Sequence, residues 1–261
     1  MIIEYLAPGG RVYDLYLNML EQPHLLIAGA TGSGKSVVIN GLVSTAIRKL
    51  PTRIKFILID PKRVELVGYK ALPHTIRYAS EPDTMIQALE YALDLIDRRY
   101  TKMQGQGKRK WGGSDIYVII DELADLMTTQ RKRVQPLLQR IAQIGRAAKV
   151  HLIVATQCPL SKIIPTEIKV NFDARVGLRT RNAQDSRNIL GVKGCETLPR
   201  YGEGFYLVPE GLNHTRILMI PESELQALID WWIPQRPARG FFAKRRRVKY
   251  MDQIKSSTIR P

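Results

Sequence analysis

Cysteine is scarce in this chain: Cys158 and Cys195 are its only two in 261 residues. Two thiols without a C-x-x-C pair or zinc-ligand spacing exclude a disulfide framework and a structural zinc knot. They fit ordinary thiols in a reducing cytoplasm. The four histidines, His24, His74, His151 and His214, show no metal or nucleophile spacing. No run approaches the ~18 uninterrupted apolar residues of a membrane span. Met1-Ile2-Ile3-Glu4 lacks the basic region and long apolar stretch that open a signal peptide. There is no internal repeat. Acidic residues are in deficit, 24 against 40 Lys and Arg, for a net charge of +16. Such self-repulsion is tolerated most readily beside a polyanion, nucleic acid first and an anionic membrane surface second. A hydrophobic content of 44% excludes disorder throughout, and the length suffices for one large α/β domain.

The positive charge is concentrated at Lys108-Arg109-Lys110, at Arg131-Lys132-Arg133, over 175–187, and at Lys244-Arg245-Arg246-Arg247 with Lys249. Residues 1–22 read as a short lead-in with a turn at Pro8-Gly9-Gly10. From 23 to 233 apolar runs of strand length alternate with helical periodicity. Strands are expected at 24–28, 54–60, 116–120, 151–155 and 174–178, and helices at 37–50, 82–102, 133–148 and 222–232. Segments 204–208 and 215–220 read as an antiparallel hairpin around Pro209-Glu210-Gly211. Residues 234–261 read as a basic tail. Alternating βα units predict an α/β fold with a mostly parallel sheet and helices on both faces.

Within that frame, Gly29-Ala30-Thr31-Gly32-Ser33-Gly34-Lys35-Ser36 reads G-x-x-x-x-G-K-S, the phosphate-binding loop of P-loop ATPases (Walker A). It follows an apolar strand and opens a helix, the context this motif requires. The backbone N–H groups of Thr31, Gly32, Ser33, Gly34, Lys35, Ser36 and Val37 are candidates to cradle ATP phosphates. Lys35 brings a cation to the β- and γ-phosphates, and Ser36 offers a hydroxyl to Mg²⁺.

The apolar strand Tyr117-Val118-Ile119-Ile120 ends in Asp121-Glu122, the Walker B arrangement. A parallel sheet brings that strand end beside the phosphate loop. Asp121 is the expected Mg²⁺ partner through water, and Glu122 the expected activator of the attacking water. A protein that only bound ATP has no need of the second acid. The strand His151 to Ala155 ends in Thr156-Gln157, so Gln157 is expected between the two Walker segments as a γ-phosphate sensor. Arg140 and Arg146 lie near the end of the preceding helix. Ring ATPases take an arginine from a neighbouring subunit to stabilise transition-state charge, and Arg146 is the candidate.

These segments in this order resemble the FtsK/SpoIIIE family of DNA translocases, within the FtsK–HerA group of ring ATPases. The matching stretches run from His24 to Ser36, Ile57 to Lys62, Val118 to Asp125, Arg140 to Ala148, His151 to Gln157, and Ile168 to Asn171. The likeness covers about residues 22–232. It implies a RecA-like core, a hexamer around double-stranded DNA, and ATP at subunit interfaces. By position it assigns Lys35, Ser36, Asp121 and Glu122 to ATP hydrolysis and Arg146 to the arginine finger. Lys169 and Arg187 match basic positions on channel-lining loops, and Arg179 and Arg181 lie on the same stretch. Lys and Arg on phosphates are the ordinary source of sequence-independent duplex binding.

The chain departs from the family pattern in four ways. Cys158 stands where the family has an arginine, the insert before Walker B is short, little precedes Walker A, and no winged-helix segment follows. The expectation is a stripped-down motor, cytoplasmic and without a membrane segment, with sequence-independent affinity in the basic tail. Two other activities share the fold: a conjugative coupling-type motor on single-stranded DNA, and a protein-export ATPase. Only Phe172 offers an aromatic platform between Lys162 and Arg187, which favours duplex. The +16 charge weighs against a peptide track.

Overall fold

Alternation of side chains along six parallel strands decides the architecture. A computed structural model of the chain describes residues 2–6, 12–16, 22–199, 202–217 and 219–233. The expected tail at 234–261 and the turn at Pro8-Gly9-Gly10 lie outside these residues. In chain order the elements are β1 (Ile2–Leu6), β2 (Val12–Tyr16), β3 (Leu25–Ala28), α1 (Lys35–Lys49), β4 (Ile54–Ile59), β5 (Thr75–Ala79), α2 (Pro82–Gly105) and β6 (Asp115–Ile120). Then come α3 (Leu123–Ala148), β7 (Val150–Thr156), α4 (Thr166–Lys169), β8 (Ala174–Leu178), α5 (Ala183–Leu190), β9 (Glu203–Val208), β10 (Gly211–Arg216) and α6 (Glu222–Trp232).

The main sheet has the order β10-β9-β8-β3-β7-β6-β4-β5. Strands β8 through β5 in that row run parallel, and β9 and β10 extend one edge antiparallel. Successive residues face opposite sides. Leu25, Ile27, Phe56, Leu58, Tyr117, Ile119 and Ile153 pack with α1 and α6. Leu26, Ile57, Ile59, Val118, Ile120, Leu152 and Val154 pack with α2 and α3. Burial on both faces explains why these strands read as continuous apolar runs. Among the described residues no helix is long and apolar enough to cross a membrane.

Several boundaries differ from the sequence-based expectation. β10 begins at Gly211, paired with Val208 across the two-residue turn Pro209-Glu210, not at Thr215. The apolar residues beyond it suggest a later strand, but Met219 is exposed. α3 starts ten residues before the expected Arg133. Its run of polar residues hides a kink at Gln130 (φ −135°, ψ 27°), and Pro136 lies beyond it inside the helix. β5 is an additional, half-exposed edge strand, paired among the described residues with β4 alone, so its sequence lacks a continuous apolar run. Helix α5 is also additional; it is short, yet it carries its own signals. The Asn182 side chain accepts the Asp185 N–H at 2.8 Å, and Gly191 closes the helix with φ +83°. The lead-in contributes β1 and β2, an antiparallel pair rich in β-branched and aromatic residues.

His24, fully buried, ties three elements together. Its Nε2–H donates to the Ala142 carbonyl at 3.0 Å, and its Nδ1 accepts the Leu152 N–H at 2.9 Å. Burial, then the nearby His151, lowers its pKa to about 3. His74, lowered to about 4 chiefly by burial, behaves likewise. Below pH 6.5 the unfolded chain binds protons that the folded chain refuses, so this stability is present above 6.5 and is lost as pH falls toward 3. Melting temperature is therefore expected to fall between pH 6.5 and 4. His24→Gln, which keeps a donor and an acceptor but does not titrate, is expected to flatten that slope in a thermal-melt series.

Candidate active site

The phosphate loop begins where β3 ends. Gly29 N–H donates to the Thr156 carbonyl at 3.3 Å and Ala30 N–H to the Arg179 carbonyl at 2.8 Å, so β7 and β8 hold the loop from both sides. Gly32 and Gly34 have φ of +72° and +102°, a conformation costly for residues with a Cβ. A Cβ at Gly29 would lie 2.6 Å from Ser33 Oγ and 2.8 Å from Leu178 Cβ. Lys35, Ser36 and Val37 form the first turn of α1, which contains no acidic residue to offset the helix's positive end. The loop curls inward: Lys35 Nζ donates to the carbonyls of Gly29 at 2.9 Å and Ala30 at 3.0 Å. Ser33 Oγ is buried without a hydrogen-bond partner among the described residues. A cradle of positive-φ glycines, a helix N-terminus, a buried ammonium and an unpartnered hydroxyl form a donor set that fits phosphate.

The acids sit at the end of β6, with β7 between that strand and β3. Asp121 and Glu122 come directly after β6, and both are buried. Burial first, then Glu65, Asp60 and Glu122, raises the Asp121 carboxyl to about 7. Burial also lowers the Lys35 ammonium, against the pull of Glu122 and Asp121. Glu122 is the N-cap of α3, and its Oε1 accepts the Ala124 N–H at 3.3 Å. The same oxygen accepts the Thr156 hydroxyl at 2.8 Å and the Gln157 N–H at 3.1 Å. Gln157 bridges the two Walker segments, because its Oε1 accepts the Thr31 hydroxyl at 2.8 Å. Cys158, half-buried, is the next residue, and its N–H donates to Thr156 Oγ1 at 3.1 Å.

The other expected site residues divide between the two ends of the sheet. Arg146 is exposed in the last turn of α3. Roughly 35 Å of helix path separates it from Glu122, so it does not reach its own chain's phosphate loop. Lys169 lies against the helix that carries Arg187: its Nζ donates to the carbonyl of Asn188, the next residue along, at 3.2 Å. Arg175 braces them, donating to the carbonyls of Phe172 at 2.9 Å, Ile189 at 3.1 Å and Lys169 at 3.3 Å. Arg179 and Arg181 do not join this group. They lie just past β8 at the phosphate-loop end, where the Arg179 backbone holds Ala30. Phe172 is buried, edge-on to His24 at 5.9 Å.

Four further residues belong to the site, and the sequence motifs do not assign them the parts they take here. Asp60, fully buried, accepts the N–H of Leu66 at 3.0 Å and of Val64 at 3.4 Å. Lys62 reaches Glu122, Glu65 acts on Asp121, and Thr156 anchors Glu122. A polar residue closing each apolar strand is the one signal that points to Asp60 and Thr156.

Two measurements check this geometry. The folded Asp121 keeps its proton to about pH 7 while an unfolded aspartate loses it near 3.8. Its contribution to stability is therefore present below pH 3.8 and lost as pH rises through 7. Without nucleotide, Asp121→Asn is expected to raise the melting temperature at about pH 8 and to change it far less at about pH 5. Gly29→Ala is expected to cost about 1–3 kcal/mol in denaturant unfolding, because the added Cβ overpacks against Ser33 and Leu178.

Comparisons with known proteins bear on the family and the fold. The FtsK/SpoIIIE family model matches residues 9–115 and 113–161. The chain is 38% identical over 241 residues to the DNA translocase FtsK of Staphylococcus aureus, covering 84% of this chain and 31% of that protein. It is 36% identical over 245 residues to the DNA translocase FtsK of Listeria monocytogenes, covering 85% and 32%. It thus spans about a third of the length of these relatives. Among solved structures, the pCW3 conjugation coupling protein TcpA, in its monomer form with ATPgS, superposes with a TM-score of 0.75 at 22% identity, over 88% of this chain and 70% of that one. The cytoplasmic domain of the Thermomonospora curvata Type VII secretion ATPase EccC gives 0.75 at 23% identity, over 92% and 31%. At these identities the two structures establish a shared P-loop ATPase fold. With the family match over more than half its length, the chain belongs to the FtsK/SpoIIIE family.

Proposed function

We propose that the chain is the motor of an ATP-driven translocase on double-stranded DNA, working as a hexameric ring. The observation that carries the reading is Glu122, buried at the end of β6 and fixed by Thr156 and Gln157 from the neighbouring strand. ATP with Mg²⁺, when bound, supplies the phosphoanhydride to be cleaved and the divalent charge between its phosphates. Lys35, leaving the Gly29 and Ala30 carbonyls, would neutralise the terminal phosphates. Ser36 and Asp121 would hold the metal ion. Glu122 would orient the attacking water and take its proton. Gln157, joined to Thr31 by its side chain and to Glu122 by its N–H, would report phosphate occupancy to the acid.

Arg146 supports the ring. Exposed and a helix length from its own chain's loop, it is suited to serve only a neighbour's phosphates. Lys169 and Arg187 form the preferred DNA contact because Lys169 lies against the helix that carries Arg187, on a braced segment. Arg179 and Arg181 are weaker members, being at the other end of the sheet. The +16 charge suits a phosphate track, and burial of Phe172 removes the aromatic platform that a single-strand grip would use.

The test is ATP hydrolysis by the purified chain with no polymer, duplex DNA, single-stranded DNA and heparin. Strong stimulation by duplex alone is expected, falling steeply with salt. Equal stimulation by heparin and duplex, or by none of them, overturns the reading. Lys35→Ala is expected to abolish turnover, and Glu122→Gln to lower kcat about 10²–10³-fold while nucleotide still binds. Mixing inactive Lys35→Ala with inactive Arg146→Ala is expected to restore part of the activity, because a mixed ring contains interfaces with both intact residues. Failure to complement removes Arg146 from the site.

A further inference from the structure

The segment after β4 is built around a buried acid. Asp60 accepts the N–H of Val64 and Leu66, and also the Tyr78 hydroxyl at 3.4 Å. Its own carbonyl accepts the Arg63 N–H at 3.2 Å. Arg63 takes φ +58° to complete the curl and pairs with Glu81 at the N-cap of α2. The result is a short arch that carries Lys62 over the end of β6. There Lys62 Nζ lies 3.5 Å from Glu122 Oε2. The same ammonium acts on Asp121 and Lys35, so it belongs to the site's charge cluster.

The donors on Glu122 decide what Lys62 does. An ionised carboxylate offers about four lone-pair sites. Here the donors are the Thr156 hydroxyl and the Ala124 N–H on Oε1, the Gln157 N–H shared between both oxygens, and Lys62 on Oε2. Thr156, Ala124 and the shorter arm of the Gln157 amide crowd Oε1, so Oε2 holds the longer Gln157 arm at 3.3 Å and Lys62 at 3.5 Å, and Lys62 is its one side-chain donor among the described residues. Three of these donors belong to rigid framework: two backbone amides and a buried hydroxyl. Lys62 alone stands on a long stem with its side chain 40% exposed, so it is the donor that can leave.

We propose that Lys62 is a positioning residue that keeps Glu122 occupied through most of the polymer-free cycle, with ATP bound or not, and yields it to the nucleotide phosphates when duplex engages the chain. The inference rests on the reading of Glu122 as the base in ATP hydrolysis. Freed of Lys62, Oε2 faces the site with an open acceptor, while Thr156 and Gln157 keep the carboxylate aimed. The arch holds Lys62 beside Glu122 and close enough to Lys35 of the phosphate loop to act on its charge, so small movements of its side chain would switch the pairing.

The experiment is steady-state ATP hydrolysis by the full chain and its Lys62→Ala, Lys62→Gln and Lys62→Arg variants, without polymer and with saturating duplex. Melting temperatures are recorded alongside, and the neutral, similarly sized Lys62→Gln separates lost charge from lost packing. Lys62→Ala and Lys62→Gln are expected to raise the polymer-free kcat roughly tenfold, part of the ~10²–10⁴ that a positioned base contributes. KM for ATP is expected to change less than about twofold, and the duplex stimulation ratio to shrink by a similar factor to the kcat gain. Lys62→Arg, which keeps a cation at Glu122, is expected to retain the low polymer-free rate. A fall in kcat in the neutral variants assigns Lys62 to the transition state and overturns the proposal. An unchanged polymer-free rate and ratio overturns it as well. If the wild-type chain is inactive under every condition, the reading of Glu122 as a base fails first and the Lys62 proposal with it. An active wild type with indifferent Lys62 variants removes the Lys62 proposal alone.

Discussion

Parallel pairing in one register is the constraint on which the rest of this structure depends. Ala28 pairs with Thr156, Val154 with Ile120, and Ile120 with Ile59. The strands therefore end in a row, and the residues just beyond each strand meet those beyond its neighbours. Gly29, Asp60, Asp121, Glu122 and Gln157 are far apart in the chain and adjacent in the fold for this reason. A one-residue slip of β7 would carry Thr156 away from Glu122 and turn Leu152 and Val154 to the other face. Core packing and site geometry are thus fixed by the same hydrogen-bond ladder.

That row concentrates charge under cover. Asp60, Asp121 and Glu122 are buried with Lys35, while Glu65 and Lys62 stand at the margin. Isolated ions are costly in such a place unless paired or hydrogen-bonded. Each group answers the problem differently. Asp60 commits its oxygens to backbone amides of its own loop. Glu122 gathers donors from three segments. Lys35 folds back onto two carbonyls. Burial and the neighbouring acids raise the proton affinity of Asp121.

Much of this is legible in the sequence because the relevant signals are local. A glycine-rich turn between an apolar strand and a helix specifies its own geometry, and so does an apolar strand closed by two acids. Signals that depend on tertiary context are not legible. β5 is a strand because β4 offers it an edge, and its half-polar sequence alone does not say so. The start of α3 is set by the Glu122 cap, and its polar first turns and Pro136 mask the helix that the cap nucleates. The register of β10 is set by a two-residue turn rather than by the apolar residues that come later. Arg179 and Arg181 are close to Lys169 and Arg187 in sequence. A strand and a helix separate them in space, and no spacing rule in the sequence distinguishes the two pairs. The reach of Lys62 to Glu122 spans two strands of the sheet and depends on how Asp60 curls the intervening backbone.

Strand β8 has a mechanical meaning. At one end Arg175 is laced to the carbonyls of Lys169, Phe172 and Ile189. At the other, the carbonyl of Arg179 receives the amide of Ala30 in the phosphate loop. The five-residue strand Ala174–Leu178 joins them, paired on both sides by β3 and β9. At about 3.3 Å per residue this is a strut roughly 17 Å long, too short and too well bonded to bend. A load on the braced basic segment arrives at the phosphate loop as displacement rather than being absorbed along the way. Stiffness, more than proximity, joins the two ends of this domain.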